Sequence, residues 1–245
     1  MRSLFFSGPL PRILAHRGLA LEVDENTLLA FGASLDAGAQ ILETDVRATA
    51  DGVAVLFHDD RLASGVGIRE LTWQALRSVA LPHGGTVPSL SQALAKFSDA
   101  KFNIDVKASD AIAPTVQALQ QASATGRVLV ASFSRARQRG VARQLPGVAT
   151  SASALMVLGA VLAGKVSWVA MMRLILRSVN AVQIPNRVLG MHATSPAMVR
   201  RFHAAEVEVH VWTVNDETEM IALRLAGVDG IVTDRCDRAY RVFAL

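Results

Sequence analysis

Arg12-Ile13-Leu14-Ala15-His16-Arg17-Gly18, the helical pattern of residues 27–37, and Ile41-Leu42-Glu43-Thr44-Asp45-Val46-Arg47 make one β-α-β unit, which the rest of the chain repeats. Each β-type run is short, apolar through its middle and closed by polar residues. Further runs of this kind occupy residues 102–107, 128–133, 148–152, 181–185, 207–214 and 230–234. Helical spacing lies between them at 90–98, 110–124, 196–205 and 217–226. Strands that alternate with helices pair in parallel, because each helix carries the chain back to the end from which the previous strand began. About eight such units in 245 residues favour a closed (β/α)8 TIM barrel over an open sheet, with residues 1–245 as a single domain. In such a barrel the C-terminal strand ends form the active face, so His16, Arg17, Asp45, Asp105, Lys107, Ser132, Trp212 and Asn215 are expected to converge on one mouth.

Composition narrows the function classes. Apolar residues make up 51% of the chain and charged ones 19%, which supports a large core and argues against disorder. The net charge of +4 is modest, and no basic run or aromatic-basic interleaving marks a nucleic-acid partner. Cys236 is the only cysteine, so no intrachain disulfide can form, and it reads as an inert thiol beside the last strand. Few residues precede position 12, and cleavage within 12–18 would destroy the first strand, so a cytoplasmic location is expected. Residues 154–164 are almost purely apolar, and the run resumes after Lys165 to Leu176. Each half is too short to span a bilayer. The segment reads as a barrel helix or a cap over the site, or else as an interfacial helix in peripheral contact with a membrane or a lipid tail.

Asp51-Gly52 is a strong two-residue hairpin turn. With that loop Ala50 faces Val53, Asp45 faces His58 and Glu43 faces Asp60. Such a register returns a second histidine to the carboxylates, and residues 59–88 become a small insertion after the second strand.

Glu43 and Asp45 are two apart and point to one side of a strand. Asp105 holds an equivalent place on the third strand. Three carboxylates facing one space repel unless a cation sits among them, and oxygen ligands without cysteine favour Mg²⁺ or Ca²⁺. His16 and His58 are the candidate general acid and base, because imidazole titrates near neutrality. His83, His192, His203 and His210 lack such neighbours and read as structural or surface groups. The guanidinium of Arg17 suits two phosphate oxygens, and Lys107 adds a point charge, unless both serve to neutralise the carboxylates. Metal-assisted cleavage of a phosphodiester needs this set of groups.

Taken together, His16-Arg17-Gly18, Glu25-Asn26-Thr27, Glu43-Thr44-Asp45-Val46, Asp51-Gly52 and His58-Asp59 resemble the glycerophosphodiester phosphodiesterase family. So do Val87-Pro88-Ser89-Leu90, Asn103-Ile104-Asp105-Val106-Lys107, Trp212-Thr213-Val214-Asn215 and residues 227–234. The resemblance implies a (β/α)8 barrel binding one divalent cation, Ca²⁺ or Mg²⁺, through Glu43, Asp45 and Asp105. It implies His16 and His58 as the acid–base pair and Arg17 as a phosphate ligand, with Lys107 and Trp212 lining the pocket of a small phosphodiester substrate. It further implies attack of the glycerol 2-hydroxyl on phosphorus, departure of the alcohol, and opening of the cyclic phosphate by water. The products are then an alcohol and sn-glycerol 3-phosphate, from glycerophosphocholine or glycerophosphoethanolamine. Two positions depart from the family pattern. Asp105 stands where glutamate is common, and Asp24 stands where proline is common, with helix N-capping as its expected role. Lysophospholipase D activity, and a catalytically idle phospholipid-binding barrel, are the alternative readings.

Overall fold

The computed structural model describes residues 3–243. Eight parallel strands, β1 (Arg12–Ala15), β2 (Ile41–Ala48), β3 (Lys101–Val106), β4 (Val128–Ala131), β5 (Ala149–Thr150), β6 (Ala181–Ile184), β7 (Glu208–Val211) and β8 (Gly230–Thr233), line a barrel. They pair in the order β5-β4-β3-β2-β1-β8-β7-β6. Between β5 and β6 the ring is joined by one bridge, Ser151 to Ala181, where the Ala152 N–H donates to the Ala181 carbonyl at 2.9 Å. All eight β-type runs of the sequence are strands. Most stop short of their polar ends, because those residues turn out of the sheet to form the mouth.

Helices cover the outside, and their starts follow local chemistry. Leu28–Asp36 begins at Thr27, whose side chain accepts the Ala30 N–H, a cap that stabilises the helix by about 1 kcal/mol. Asp24 is not that cap. Its carbonyl accepts the Thr27 hydroxyl, while its carboxylate accepts the backbone N–H groups of His83 and Gly85, at 3.1 and 3.0 Å. The apolar stretch after β5 forms two helices, Ala154–Lys165 and Val169–Leu176, broken at Ser167 with φ +58°. Met156, Val157, Ala160, Val161, Met172 and Leu176 from this pair are buried in the larger core cluster. Cys236 is buried at the start of the last helix, Cys236–Phe243. No helix among the described residues is long and apolar enough to cross a membrane.

The hairpin after β2 differs from its expected register by one residue. Ala48 faces Ala54 and Val46 faces Leu56, so Asp45 lies opposite Phe57 rather than His58. The loop has three residues, Ala50-Asp51-Gly52, with Gly52 at φ +76°. Thr49 accounts for the shift. Its N–H donates to the Val53 carbonyl at 3.1 Å, and its hydroxyl donates to Asp51 Oδ1 at 2.6 Å. Asp51 Oδ1 also accepts the Trp73 N–H at 2.9 Å, which ties the turn to the following segment. That segment carries its own small apolar cluster of Val55, Ile68, Leu76 and Val87.

The end of the barrel opposite the mouth is plugged. Phe5 and Phe6, on a short 3-10 turn, pack against Leu14, Ile41, Leu129 and Val232. Arg12 clamps the plug. Its guanidinium donates to the Phe6 carbonyl and to both oxygens of Glu208, at 3.2 and 2.9 Å, and all of this is buried.

Candidate active site

The first and last strands deliver a linked pair. Because Ala15 is in register with Thr233, His16 emerges beside Asp234. Its Nδ1 lies 2.7 Å from Asp234 Oδ1. Asp234 Oδ2 accepts from Asn215 Nδ2 at 2.7 Å, and Asn215 Oδ1 accepts the Asp234 N–H at 2.9 Å. This chain fixes the imidazole and leaves its Nε2 to the cavity. Burial lowers the pKa of His16, but the hydrogen bond to Asp234 and the negative field of Glu43 outweigh it, so the net shift is upward.

Arg17 and Asn26 both adopt left-handed backbone, at φ +55° and +56°. The Asn26 N–H donates to the Arg17 carbonyl at 2.8 Å, which folds the loop tightly over the strand end. Gly18, at φ +85°, sits so near the next helix that a Cβ would meet the Ala30 backbone at 2.8 Å. Only glycine fits there. The Arg17 N–H donates to Glu43 Oε2 at 3.0 Å, Nη1 donates to Glu25 at 2.9 Å, and Nε lies 3.1 Å from Asp45 Oδ2.

Parallel register places Asp45 beside Asp105 and Glu43 beside Asn103. Lys107 Nζ lies between the two aspartates, 2.8 Å from Asp45 Oδ1 and 2.7 Å from Asp105 Oδ2. Asn26 secures the remaining side of Asp45, with Nδ2 donating at 3.2 Å, while its Oδ1 accepts the Thr44 hydroxyl at 2.7 Å. Burial disfavours ionised Asp45, yet Lys107 and Arg17 hold its pKa below the usual carboxylate range. Glu43 has too little compensation from His16 and the Arg17 N–H. Burial, and then the charge of Asp45, push it up to about 8.

As arranged, no three His, Cys, Asp or Glu side chains among the described residues form a ready metal cage. The donor set nonetheless fits a hard cation. Asp105 Oδ1 is buried with no hydrogen-bond partner, Glu43 is pushed toward its neutral form by burial and then by the charge of Asp45, and Lys107 supplies the one positive group between the aspartates. Carboxylates so placed are the ligands that Ca²⁺ and Mg²⁺ prefer.

His58 follows the hairpin strand. Its Nδ1 lies 2.8 Å from Asp59 Oδ1, and its carbonyl accepts from Arg47 Nε at 2.9 Å. The one-residue register shift does not remove it from the site: His16, His58, Asp45, Asp105, Lys107 and Trp212 all line one cavity of about 490 Å³, as do Arg17 and Glu43. The opposite wall is mainly apolar, with Gln183 and Arg187 also on it. Phe133 and Trp212 meet edge to face at 6.1 Å, and Val157 and Leu189 extend that side. One end of the cavity therefore gathers the carboxylates and their cations, and the other is mainly greasy with Arg187 beside it.

The candidate catalytic, metal and substrate residues named from the sequence, and Ser132, line this cavity, whereas Asn215 stands behind it and holds Asp234. Sequence reasoning gave no role to Asp234, Asp59 or Asn26, which hold the two histidines and Asp45. For Asp234 the signal was present, since closing a barrel makes the first and last strands neighbours.

The model of the glycerophosphoryl diester phosphodiesterase family matches residues 16–238. A Mycobacterium tuberculosis protein named probable glycerophosphodiester phosphodiesterase 2 is 41% identical over 230 residues, covering 91% of this chain and 87% of that one. A Caldanaerobacter subterraneus glycerophosphodiester phosphodiesterase is 27% identical over 249 residues, with coverage of 91% and 93%. Among solved structures, a glycerophosphodiester phosphodiesterase from Agrobacterium tumefaciens superposes with a TM-score of 0.80 at 22% identity, covering 96% of this chain and all of that one. An Oleispira antarctica phosphodiesterase in complex with the product sn-glycerol-3-phosphate gives 0.77 at 22%, over 96% and 98%.

Proposed function

The chain belongs to the glycerophosphoryl diester phosphodiesterase family of phosphoric diester hydrolases, and on that footing we propose that it splits glycerophosphodiesters such as glycerophosphocholine and glycerophosphoethanolamine into an alcohol and sn-glycerol 3-phosphate. The observation that carries the reading is the pair of histidines, each held at Nδ1 by its own carboxylate and both lining one cavity with three further carboxylates, an arginine and a lysine. A histidine oriented through Nδ1 presents Nε2 for proton transfer.

In the first step one histidine takes the proton of the glycerol 2-hydroxyl as its oxygen bonds to phosphorus. The other gives a proton to the alcohol oxygen as that P–O bond breaks. In the second step the roles reverse: water loses a proton to one ring, and the 2-oxygen regains one from the other as the cyclic phosphate opens. Arg17 and Lys107 face the phosphoryl oxygens, where negative charge accumulates. The Trp212 indole packs on the glycerol carbons. Glu43, Asp45 and Asp105 would hold Ca²⁺ or Mg²⁺. Such an ion supplies positive charge to the phosphoryl group when bound.

The apolar wall of Phe133, Val157 and Leu189 supports a second reading, in which a lysophospholipid enters with its acyl chain along that side. Substitution tests the shared chemistry. His16→Ala and His58→Ala should each lower turnover by about 10²–10⁴-fold, with divalent-cation binding by calorimetry retained. Near-normal turnover in either variant would overturn the acid–base assignment.

A further inference from the structure

Charge is distributed very unevenly along this chain. Residues 111–205 contain no Asp or Glu at all, yet hold eleven Lys and Arg. The rest of the sequence carries all 21 acidic residues against 14 basic ones. The segment runs from the end of β3 to just before β7, so the fold gathers it into the β4–β6 side of the barrel. Among the described residues, none of its eleven cations forms a salt bridge. Glu25, Asp59 and Asp234 all stand on the β1–β2–β8 side of the mouth.

The same side exposes large apolar side chains at the mouth. Phe133 is 59% exposed, Leu155 80% and Leu189 77%. Phe133 and Leu189 line the outer part of the cavity, and Leu155 follows Ala154, which lines it too. Arg135 and Arg187 stand exposed beside them. Greasy tips flanked by two arginines without salt bridges, in a segment that contributes no carboxylate of its own, match the polarity of a bilayer surface whose headgroups are negative. We propose that the β4–β6 side of the mouth docks onto anionic phospholipid membrane, with Leu155 and Leu189 entering the headgroup layer and Arg135 and Arg187 lying on the phosphates. The apolar helices of residues 154–176 reach this surface through Leu155 at their mouth end. Docking there turns the active-site opening toward the lipid. The inference does not depend on the hydrolase reading, because adsorption requires no turnover.

The test is co-sedimentation of the full chain with phosphatidylcholine vesicles, with and without phosphatidylglycerol. Leu155→Asp and Arg135→Glu both place an acid in the first turn of a helix, where the dipole favours it, so folding is spared. Wild type should bind phosphatidylglycerol vesicles, weaken as salt rises, and bind pure phosphatidylcholine less. The double variant should lose at least about tenfold in binding, while hydrolysing soluble glycerophosphodiesters at the wild-type rate. Leu225→Asp, at an equally exposed leucine on helix Glu217–Ala226 outside the acid-free segment, should bind as wild type does. The proposal is overturned by absence of wild-type binding, by undiminished binding of the double variant, or by equal loss in Leu225→Asp. A dimer in solution that the double variant abolishes would assign the surface to a second copy and overturn it as well.

Discussion

At the scale of the residue, the site depends on groups that never need to touch phosphate. Asp234 orients His16 and raises its pKa, and Asn215 in turn holds Asp234 by two hydrogen bonds. Replacing Asp234 by Asn removes the charge and keeps the shape. Turnover should fall by between about 10- and 10⁴-fold, the range seen when a histidine loses an orienting carboxylate. The pH limb belonging to His16 should move to lower pH, since the group that raises its pKa is gone. An unchanged limb would show that Asp234 is merely structural. The catalytic candidates could be read from the sequence because histidine and carboxylate at strand ends are rare and chemically specific. Asn26 could not, because a buried Asn at a loop start has many uses, while Asp234 was legible only through the pairing of the first strand with the last.

At the scale of the element, the eight strands were legible from apolar runs closed by polar residues, while the hairpin register was not. Asp51-Gly52 satisfies a two-residue turn by composition, but Thr49 bonds both Asp51 and Val53 and moves the pairing by one. Asp24 is a similar case. It suits a helix cap in isolation, yet Thr27 takes that place and Asp24 straps the loop at His83 and Gly85. Burial raises its pKa, but those hydrogen bonds outweigh burial and lower it from 3.8. Asp24→Ala should therefore cost about 1–3 kcal/mol near neutral pH. A lowered folded-state pKa means that this stabilisation is present above 3.8 and is lost as pH falls through the folded value. The melting difference between wild type and Asp24→Ala should thus shrink in acid. At the closed end of the barrel, Arg12→Ala should destabilise by about 3–5 kcal/mol, because it leaves the buried Glu208 carboxylate without its main partner. Arg12→Met combined with Glu208→Leu should recover much of that loss in chemical denaturation. Failure to recover would assign the cost to the carbonyls of the N-terminal plug instead.

At the scale of the whole molecule, closing the ring is what turns a list of motifs into a site. Residues 16, 43, 45, 58, 105, 107 and 212 lie far apart in the chain and meet because parallel strands share one open end. Alternating β and α patterns carried that much in the sequence. The sidedness of the cavity, charged toward β1–β3 and apolar toward β4–β6, depends on which loops face each other across the mouth, and no single motif encodes it. The central claim is cleavage of a glycerophosphodiester by this cavity with help from a divalent ion. Its most direct test is release of glycerol 3-phosphate from glycerophosphocholine before EDTA treatment, after it, and after Ca²⁺ or Mg²⁺ is restored. The account predicts release that EDTA abolishes and one of the two ions brings back. Release unaffected by EDTA would contradict the role given to Glu43, Asp45 and Asp105, and no release under any of these conditions would contradict the proposed reaction.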